Sequence, residues 1–333
     1  MSKWMWNAGL AVLALAFLGL LAGFASTAVH IRKLAGELEP AHPEEPQRRR
    51  VALISQELDN PFWRSVESGA RASAGRYGMT IEYGGPRRID PQEQSRLLEK
   101  AIAERFDAVL VQGLNEPSYA ALIDRASAQG IPVITVDADE PNSARIAYVG
   151  TDNKLAGERM GRLVAQTIGG TGRIGVVLGS EAVNQKLRLE GFRSVIDRYP
   201  GLAVADVRIS NISRLQAAKE AEDMLRERPG LRAIVGFSAL DGPGIAEAVQ
   251  RQQAASPAVF AFDDLESTRQ EIRQCRIKAT LVQSPVEMGE EAVALLHAYF
   301  QGERIGKVHY TGTTVLDRSA LADGGGASGA DCR

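Results

Sequence analysis

Cysteine and histidine are scarce in this chain. Two cysteines, Cys275 and Cys332, stand among 333 residues. That excludes a disulfide framework, and neither has a metal-ligand residue beside it. The four histidines, His30, His42, His297 and His309, are scattered, and none follows a strand-like run where a general base would sit. There is no G-x-S-x-G elbow, no P-loop and no H-E-x-x-H. No dinucleotide-binding turn is expected. Charge of one sign is also missing: 39 basic against 41 acidic side chains leave a formal charge of −2. Nothing in that balance points to nucleic acid or to acidic lipid. The chain thus reads as a protein without an enzymatic constellation, without a cofactor and without a metal.

What the chain does have is length and apolar content. With 44% hydrophobic and 24% charged residues it can build large cores, about two domains' worth. The first residues belong to neither. From Ala8 to Val29 the run "AGLAVLALAFLGLLAGFASTAV" carries no charge. As a helix it would be about 33 Å long, enough for a bilayer core. Trp4 and Trp6 flank it as interfacial anchors do. Residues 1–33 are therefore expected to form a membrane anchor. A cleaved signal peptide is the alternative, with Ala25 and Ala28 as small residues at a cleavage site. The flanking charges, Lys3 before and Arg32 with Lys33 after, lean against an exported domain. Residues 34–50, "LAGELEPAHPEEPQRRR", read as a linker, and 321–333, with "DGGGASGADCR", as a disordered tail.

Between these ends, short β-branched runs alternate with helical stretches. Ten strands are expected: 51–55, 80–83, 108–112, 132–136, 146–150, 174–178, 202–209, 233–236, 258–262 and 277–283. The first helix carries an apolar stripe, Phe62, Val66, Ala70, Ala74 and Tyr77. The second opens on a capping box, Asp90, Pro91 and Glu93. Strands buried on both faces and alternating with helices mean parallel sheets. Two doubly wound α/β lobes in series fit the strand count, breaking near residues 150–152; a closed eight-fold barrel is the alternative.

In open parallel sheets, ligands bind beyond the carboxyl ends of the strands. Polar groups gather there. Glu57, Asp59, Asn60, Phe62 and Trp63 follow the first strand, Gln112 the third, Asp137 and Asp139 the fourth. Ser238 and Asp241 follow "IVGF", Asp263 and Asp264 follow "VFAF", and Gln283 follows "ATLV". Helix capping alone would account for Asn60, Asp152 or Asn153. It does not account for Gln112 and Gln283, which are poor caps, nor for Phe62 beside Trp63. Carboxylates, amides and aromatics suit a neutral polyhydroxyl ligand: the first two exchange hydrogen bonds with hydroxyls, the last cover a sugar's apolar face. The enzymatic alternative is a membrane-anchored α/β hydrolase using paired carboxylates on a glycoside.

"QELDNPFWRSVESGARASAGRYG", residues 56–78, resembles the first helix of periplasmic binding proteins of the ribose and galactose type, which share their fold with the ligand-binding part of lac-type repressors. The likeness continues through "FDAVLVQGLN", "GIPVITVDAD", "AYVGTDNKLAGERMG", "RLEGF", "VFAFDD" and "IKATLVQSPVEMG", over about residues 51–316. The resemblance implies two lobes, 51–151 plus 284–312 and 152–283 plus 313–320, joined by crossovers near 151–152, 283–284 and 312–313. It implies a sugar bound between them and closure on binding. Asn60, Phe62, Trp63, Gln112, Asp137, Arg188, Asp263 and Gln283 match the family's binding positions. Ala138 stands where ribose binders carry arginine, Ile212 where they carry an aromatic and Ser238 where they carry asparagine, so ribose itself fits poorly. Truncating Arg188 is expected to abolish binding with little loss of fold. With its uncleaved span the chain is similar to membrane-tethered sugar-binding proteins found beside sensor kinases or sugar transporters in Gram-positive bacteria. The implied partners are thus a monosaccharide or small oligosaccharide, and an ABC permease or a sensor histidine kinase ectodomain. The implied place is the cell membrane, through residues 8–29, with the binding domain outside. A regulator would need a DNA-reading headpiece before Val51, where the span and linker stand.

Overall fold

The computed structural model describes residues 3–38, 48–252 and 257–322, in two units, one ending at Arg48 and one beginning at Arg49. Among its described residues the first holds a single helix, α1 (Lys3–Leu38). Its apolar side chains point outward on every side: Leu13, Phe17, Leu20 and Phe24 are all more than 60% exposed. Within it, Val12–Lys33 is long and apolar enough to cross a membrane, a window shifted toward the C-terminus from the 8–29 read from charge alone. The helix also runs into the expected linker as far as Leu38, while residues 39–47 lie outside the described residues.

The second unit contains two six-stranded sheets of the same order. In the first lobe the order is β11-β5-β4-β3-β1-β2. Its strands are β1 (Arg49–Ile54), β2 (Met79–Gly84), β3 (Ala108–Val111), β4 (Val133–Val136), β5 (Ala147–Thr151) and β11 (Val308–Thr311). In the second lobe the order is β12-β10-β9-β8-β6-β7. Those strands are β6 (Thr171–Leu178), β7 (Gly201–Ile209), β8 (Leu231–Gly236), β9 (Ala258–Phe262), β10 (Ala279–Val282) and β12 (Thr314–Asp317). The central strands explain why the chain reads as strand here. "AVLV" of β3 and "VITV" of β4 are β-branched or apolar and buried at every position, as a strand covered on both faces requires. Among the described residues every pairing is parallel except one: β12 runs antiparallel to β10, because the chain runs on from β11 through Gly312 and Thr313 into the other lobe without a crossover helix to reverse it.

Several boundaries move. β1 begins at Arg49, inside the expected linker, and β10 is shorter than the run 277–283. The helix α11 (Arg318–Ala322) takes the first two residues of the expected tail; 323–333 lie outside the described residues. Cys275 sits past the end of α9 (Glu266–Arg273), in left-handed backbone (φ 60°), and is disulfide-bonded. Gly170-Thr171-Gly172-Arg173-Ile174-Gly175 has G-x-G-x-x-G spacing. It enters β6 rather than leaving a strand for a helix, so it forms no phosphate turn.

Helices cover both faces of each sheet. α2 (Pro61–Arg76) and α10 (Pro285–Phe300) pack with β1 and β3–β5 around Val51, Leu53, Val66, Leu110 and Ile134. α5 (Asn153–Thr167) and α6 (Val183–Ile196) do the same in the second lobe around Met160, Val176, Phe192 and Phe260. In each sheet the strand order reverses beside the first strand, between β1 and β3 and between β6 and β8. Such switch points are where open α/β sheets form crevices.

Candidate functional site

The chain leaves the first lobe after β5, returns after β10 and leaves again after β11. These crossovers are stitched together. Thr151 Oγ1 donates to Gln283 Oε1 at 2.8 Å, Ser284 Oγ to the Gly312 carbonyl at 3.2 Å, and Arg159 Nη1 to the Thr313 carbonyl at 2.9 Å. Beside them, between the carboxyl ends of the two sheets, lies a narrow, largely closed cleft lined by side chains of both lobes.

The first lobe supplies Gln56, Asn60, Phe62, Trp63 and Asp137 to its walls. Asn60 caps α2, its Oδ1 accepting from the Phe62 N–H at 3.0 Å, while its Nδ2 donates to Glu57 Oε2 at 3.2 Å. The cap aims Phe62 and Trp63 into the crevice edge to face, centroids 6.0 Å apart. Trp63 is only 2% exposed and belongs as much to the core of its lobe as to the cleft.

The second lobe supplies Ser180, Asn184, Gln185, Arg188, Ile212, Ser238 and Asp263. Arg188 lies at the centre. Its Nε donates to Asn153 Oδ1, its Nη1 to the Phe237 carbonyl and its Nη2 to Gln283 Oε1, each at 2.8 Å. The guanidinium lies 4.0 Å over the Phe262 ring. Burial lowers its pKa, and the neighbouring carboxylates of Asp137 and Asp263 oppose that. The little-loss-of-fold expectation therefore changes: truncating Arg188 strips Asn153 Oδ1 of its donor, takes one of two donors from the Phe237 carbonyl and from Gln283 Oε1, and uncovers a ring.

Asp137 and Asp263 are topological equivalents, each following the fourth strand of its lobe. Both adopt left-handed backbone at φ 66°, and both N–H groups donate to the next strand over, at Val149 and Leu281. Asp137 Oδ2 accepts from Gln112 Nε2 at 2.8 Å and Asn184 Nδ2 at 3.0 Å. Asp263 Oδ1 accepts from Gln283 Nε2 at 2.8 Å. Burial pushes both carboxyls up, Asp263 to about 6, while Arg188 pulls each back. Asp241, enclosed behind Ser238, is also pushed up to about 6 by burial, against hydrogen bonds from Ser210 and Ser238.

Of the ten residues singled out from sequence, Asn60, Phe62, Trp63, Asp137, Arg188, Ser238, Asp263 and Gln283 line this cleft. Glu57 and Gln112 do not. Glu57 holds the Asn60 amide, and Gln112, buried behind Asp137, holds its carboxylate, with Oε1 left unpartnered. Gln56, Ser180, Asn184 and Gln185 were not foreseen. Ser180 follows a strand end and was open to the same reading. Asn184 and Gln185 sit on a helix, where strand-end reasoning does not look.

The fold and this cleft define a two-lobed solute-binding protein. A model of the periplasmic binding protein domain matches residues 51–304, and the chain belongs to that family. The glucose-galactose binding protein GanP of Geobacillus stearothermophilus is 36% identical, over 83% of this chain and 99% of its own, with a TM-score of 0.80. XylFII, in its complex with LytSN, is 32% identical over 83% of this chain and 100% of its own, with a TM-score of 0.78. The D-apiose import binding protein of Paraburkholderia graminis is 24% identical over 261 residues, 77% of this chain and 83% of that protein.

Proposed function

We propose that the cleft binds one neutral monosaccharide, that the lobes close around it, and that the chain passes the bound state to a membrane partner. The observation that carries this is the pair of equivalent aspartates from the two lobes, Asp137 bonded to Asn184 one turn before Arg188 on α6, and Asp263 bonded to Gln283, which also accepts from Arg188. Carboxylates beside amides accept and donate to vicinal hydroxyls. Asn60, Phe62, Trp63, Asp137, Arg188, Ser238, Asp263 and Gln283 are assigned to contact, and Glu57 and Gln112 to orienting Asn60 and Asp137. Arg188 spends three donors on protein acceptors and has carboxylates for neighbours, so the cleft disfavours an anionic ligand. Sugar-binding relatives support the reading, and nothing in the family match supports the hydrolase alternative.

The binding domain works outside the cytoplasm, as the family does, and α1 tethers it there. Both import and sensing are open to such a chain: one relative serves import, another stands in a complex with a second protein.

Thermal shift of the whole protein in detergent against a panel of neutral sugars, uronic acids and sugar phosphates tests the ligand. Bound sugar raises the midpoint by mass action. Arg188→Lys keeps the charge and loses the planar fork, so affinity should fall by roughly tenfold or more, for a bond worth about 1.5–3 kcal/mol. Stabilisation by uronic acids alone, or full affinity in Arg188→Lys, would sink the assignment.

A further inference from the structure

Asn184 bridges the cleft. It stands in the first turn of α6, in the second lobe, and its Nδ2 donates to Asp137 Oδ2 of the first lobe at 3.0 Å. Among the described residues, no other side-chain hydrogen bond joins the lobes away from the crossovers. The amide cannot be turned round without loss. Its Oδ1 already accepts from the Gln185 N–H at 2.9 Å, which fixes Nδ2 as the group facing Asp137. Gln185 in turn is held at both ends, Oε1 accepting from the Gly179 N–H at 3.1 Å and Nε2 donating to the Phe237 carbonyl at 3.3 Å. The first turn of α6 is therefore fastened to the ends of β6 and β8, and Asn184 presents its donor from a rigid base.

Asp137 is prepared for it. Gln112 fastens the same oxygen from the first lobe, and the backbone around Asp137 is held by Val149. Both protein donors converge on Oδ2, which leaves Oδ1 to a ligand hydroxyl. We propose that Asn184 is a positioning residue, a latch that holds the lobes closed through Asp137 while the ligand uses that carboxylate's other oxygen. This rests on the binding reading above. Only an interaction made in the closed form and lost in the open form can shift the equilibrium between them, and this bond is of that kind. The latch acts on how long the cleft stays shut, so it governs dissociation rather than encounter.

The test compares wild type, Asn184→Ala and Asn184→Asp as full chains in nanodiscs. Spin labels on unnatural amino acids at the exposed rim positions Glu116 and Glu181 report the separation of the lobes. Distances are recorded without sugar and with saturating glucose, galactose, ribose or xylose. Asn184→Asp keeps the shape and replaces the donor with a second carboxylate facing Asp137. The expected result is a shift to longer distances in both variants under every condition in which wild type populates the short one, largest in Asn184→Asp. Sugar dissociation should quicken by roughly ten- to a hundredfold, the equivalent of a charge-assisted hydrogen bond of about 1.5–3 kcal/mol, with association little changed. Thermal midpoints in the absence of sugar separate this from misfolding. Distance distributions that superimpose on wild type throughout overturn the latch, as does a wild type that never populates the short distance. A wild type unaffected by any sugar, with variants that still open, instead overturns the choice of ligand and leaves the latch supported.

Discussion

Asp263 is enclosed in the second lobe, held by Gln283 and facing Arg188, and its pKa lies near 6 because burial penalises the carboxylate more than Arg188 and Gln283 favour it. A carboxyl with a raised folded-state pKa binds more protons in the native than in the unfolded chain. Its contribution to stability is therefore fully present below about pH 4 and is lost as the pH rises toward 6 and beyond, a loss of about 2–3 kcal/mol for a shift of about two units. Asp241 adds to the same slope in the same window. Asp263→Asn should remove one of these two shares. The fall in thermal midpoint between pH 4 and 7 should become shallower than in wild type, while sugar affinity drops. Calorimetric scans across that range decide it, and parallel slopes for the two proteins would show that Asp263 titrates normally. A residue that costs stability at neutral pH and lines a cleft is one placed for binding rather than for folding.

The elements carry these residues into place through close helix contacts. Gly157 of α5 and Gly191 of α6 face each other reciprocally. A Cβ on Gly157 would sit 2.0 Å from the Arg188 carbonyl oxygen, and one on Gly191 would sit 2.0 Å from that of Lys154. Backbone cannot yield as a side-chain tip does, so any larger residue pushes α6 outward with Asn184 and Arg188 on it. Gly157→Ala is expected to cost roughly 1–3 kcal/mol and to weaken sugar binding in step, whereas Gly75→Ala in α2, where a Cβ meets nothing within 4 Å, should be neutral or slightly stabilising. Denaturant melts with parallel titrations check both; a neutral Gly157→Ala would mean that α6 accommodates the shift. This contact also marks the limit of what sequence shows. The central strands are legible because β-branched runs buried on both faces leave little else for them to be. Asp137, Asp263 and Gln283 are legible because strand ends line crevices. Asn184 is not, because the direction of a helical side chain depends on how its helix docks, and two glycines at 157 and 191 do not announce that they meet. Arg188 became visible only through family likeness. The hinge strands β11 and β12, four residues each and half of them exposed, carry too little apolar pattern to stand out.

At the scale of the molecule, the two sheets repeat one strand order, so the cleft is built from equivalent edges, and equivalent aspartates meet there without any local sequence repeat to signal it. Equivalence ends at the hinge strands, where β11 joins its sheet parallel and β12 joins antiparallel, a consequence of the direct passage from one lobe to the other at 312–313. The other departure from symmetry is α1. Its outward apolar surface has no place in an aqueous unit: exposed leucines and phenylalanines on every face, including Leu10, Leu13, Phe17, Leu20 and Phe24, would be costly to hydrate, at about 25 cal/mol for each Å². A bilayer removes that cost, and the uncharged stretch matches its thickness. The chain should therefore fractionate with membranes in the cell, with the unit from Arg49 onward open to added protease in intact cells. A shaved, released fragment that still melts cooperatively and responds to sugar would fix both the tether and the side. A domain protected until lysis would reverse the orientation, in keeping with Arg32 and Lys33 as inside charges. Recovery of the domain in the soluble exported fraction, beginning near Ala25 or Ala28, would mean instead that α1 is a leader cut away after export.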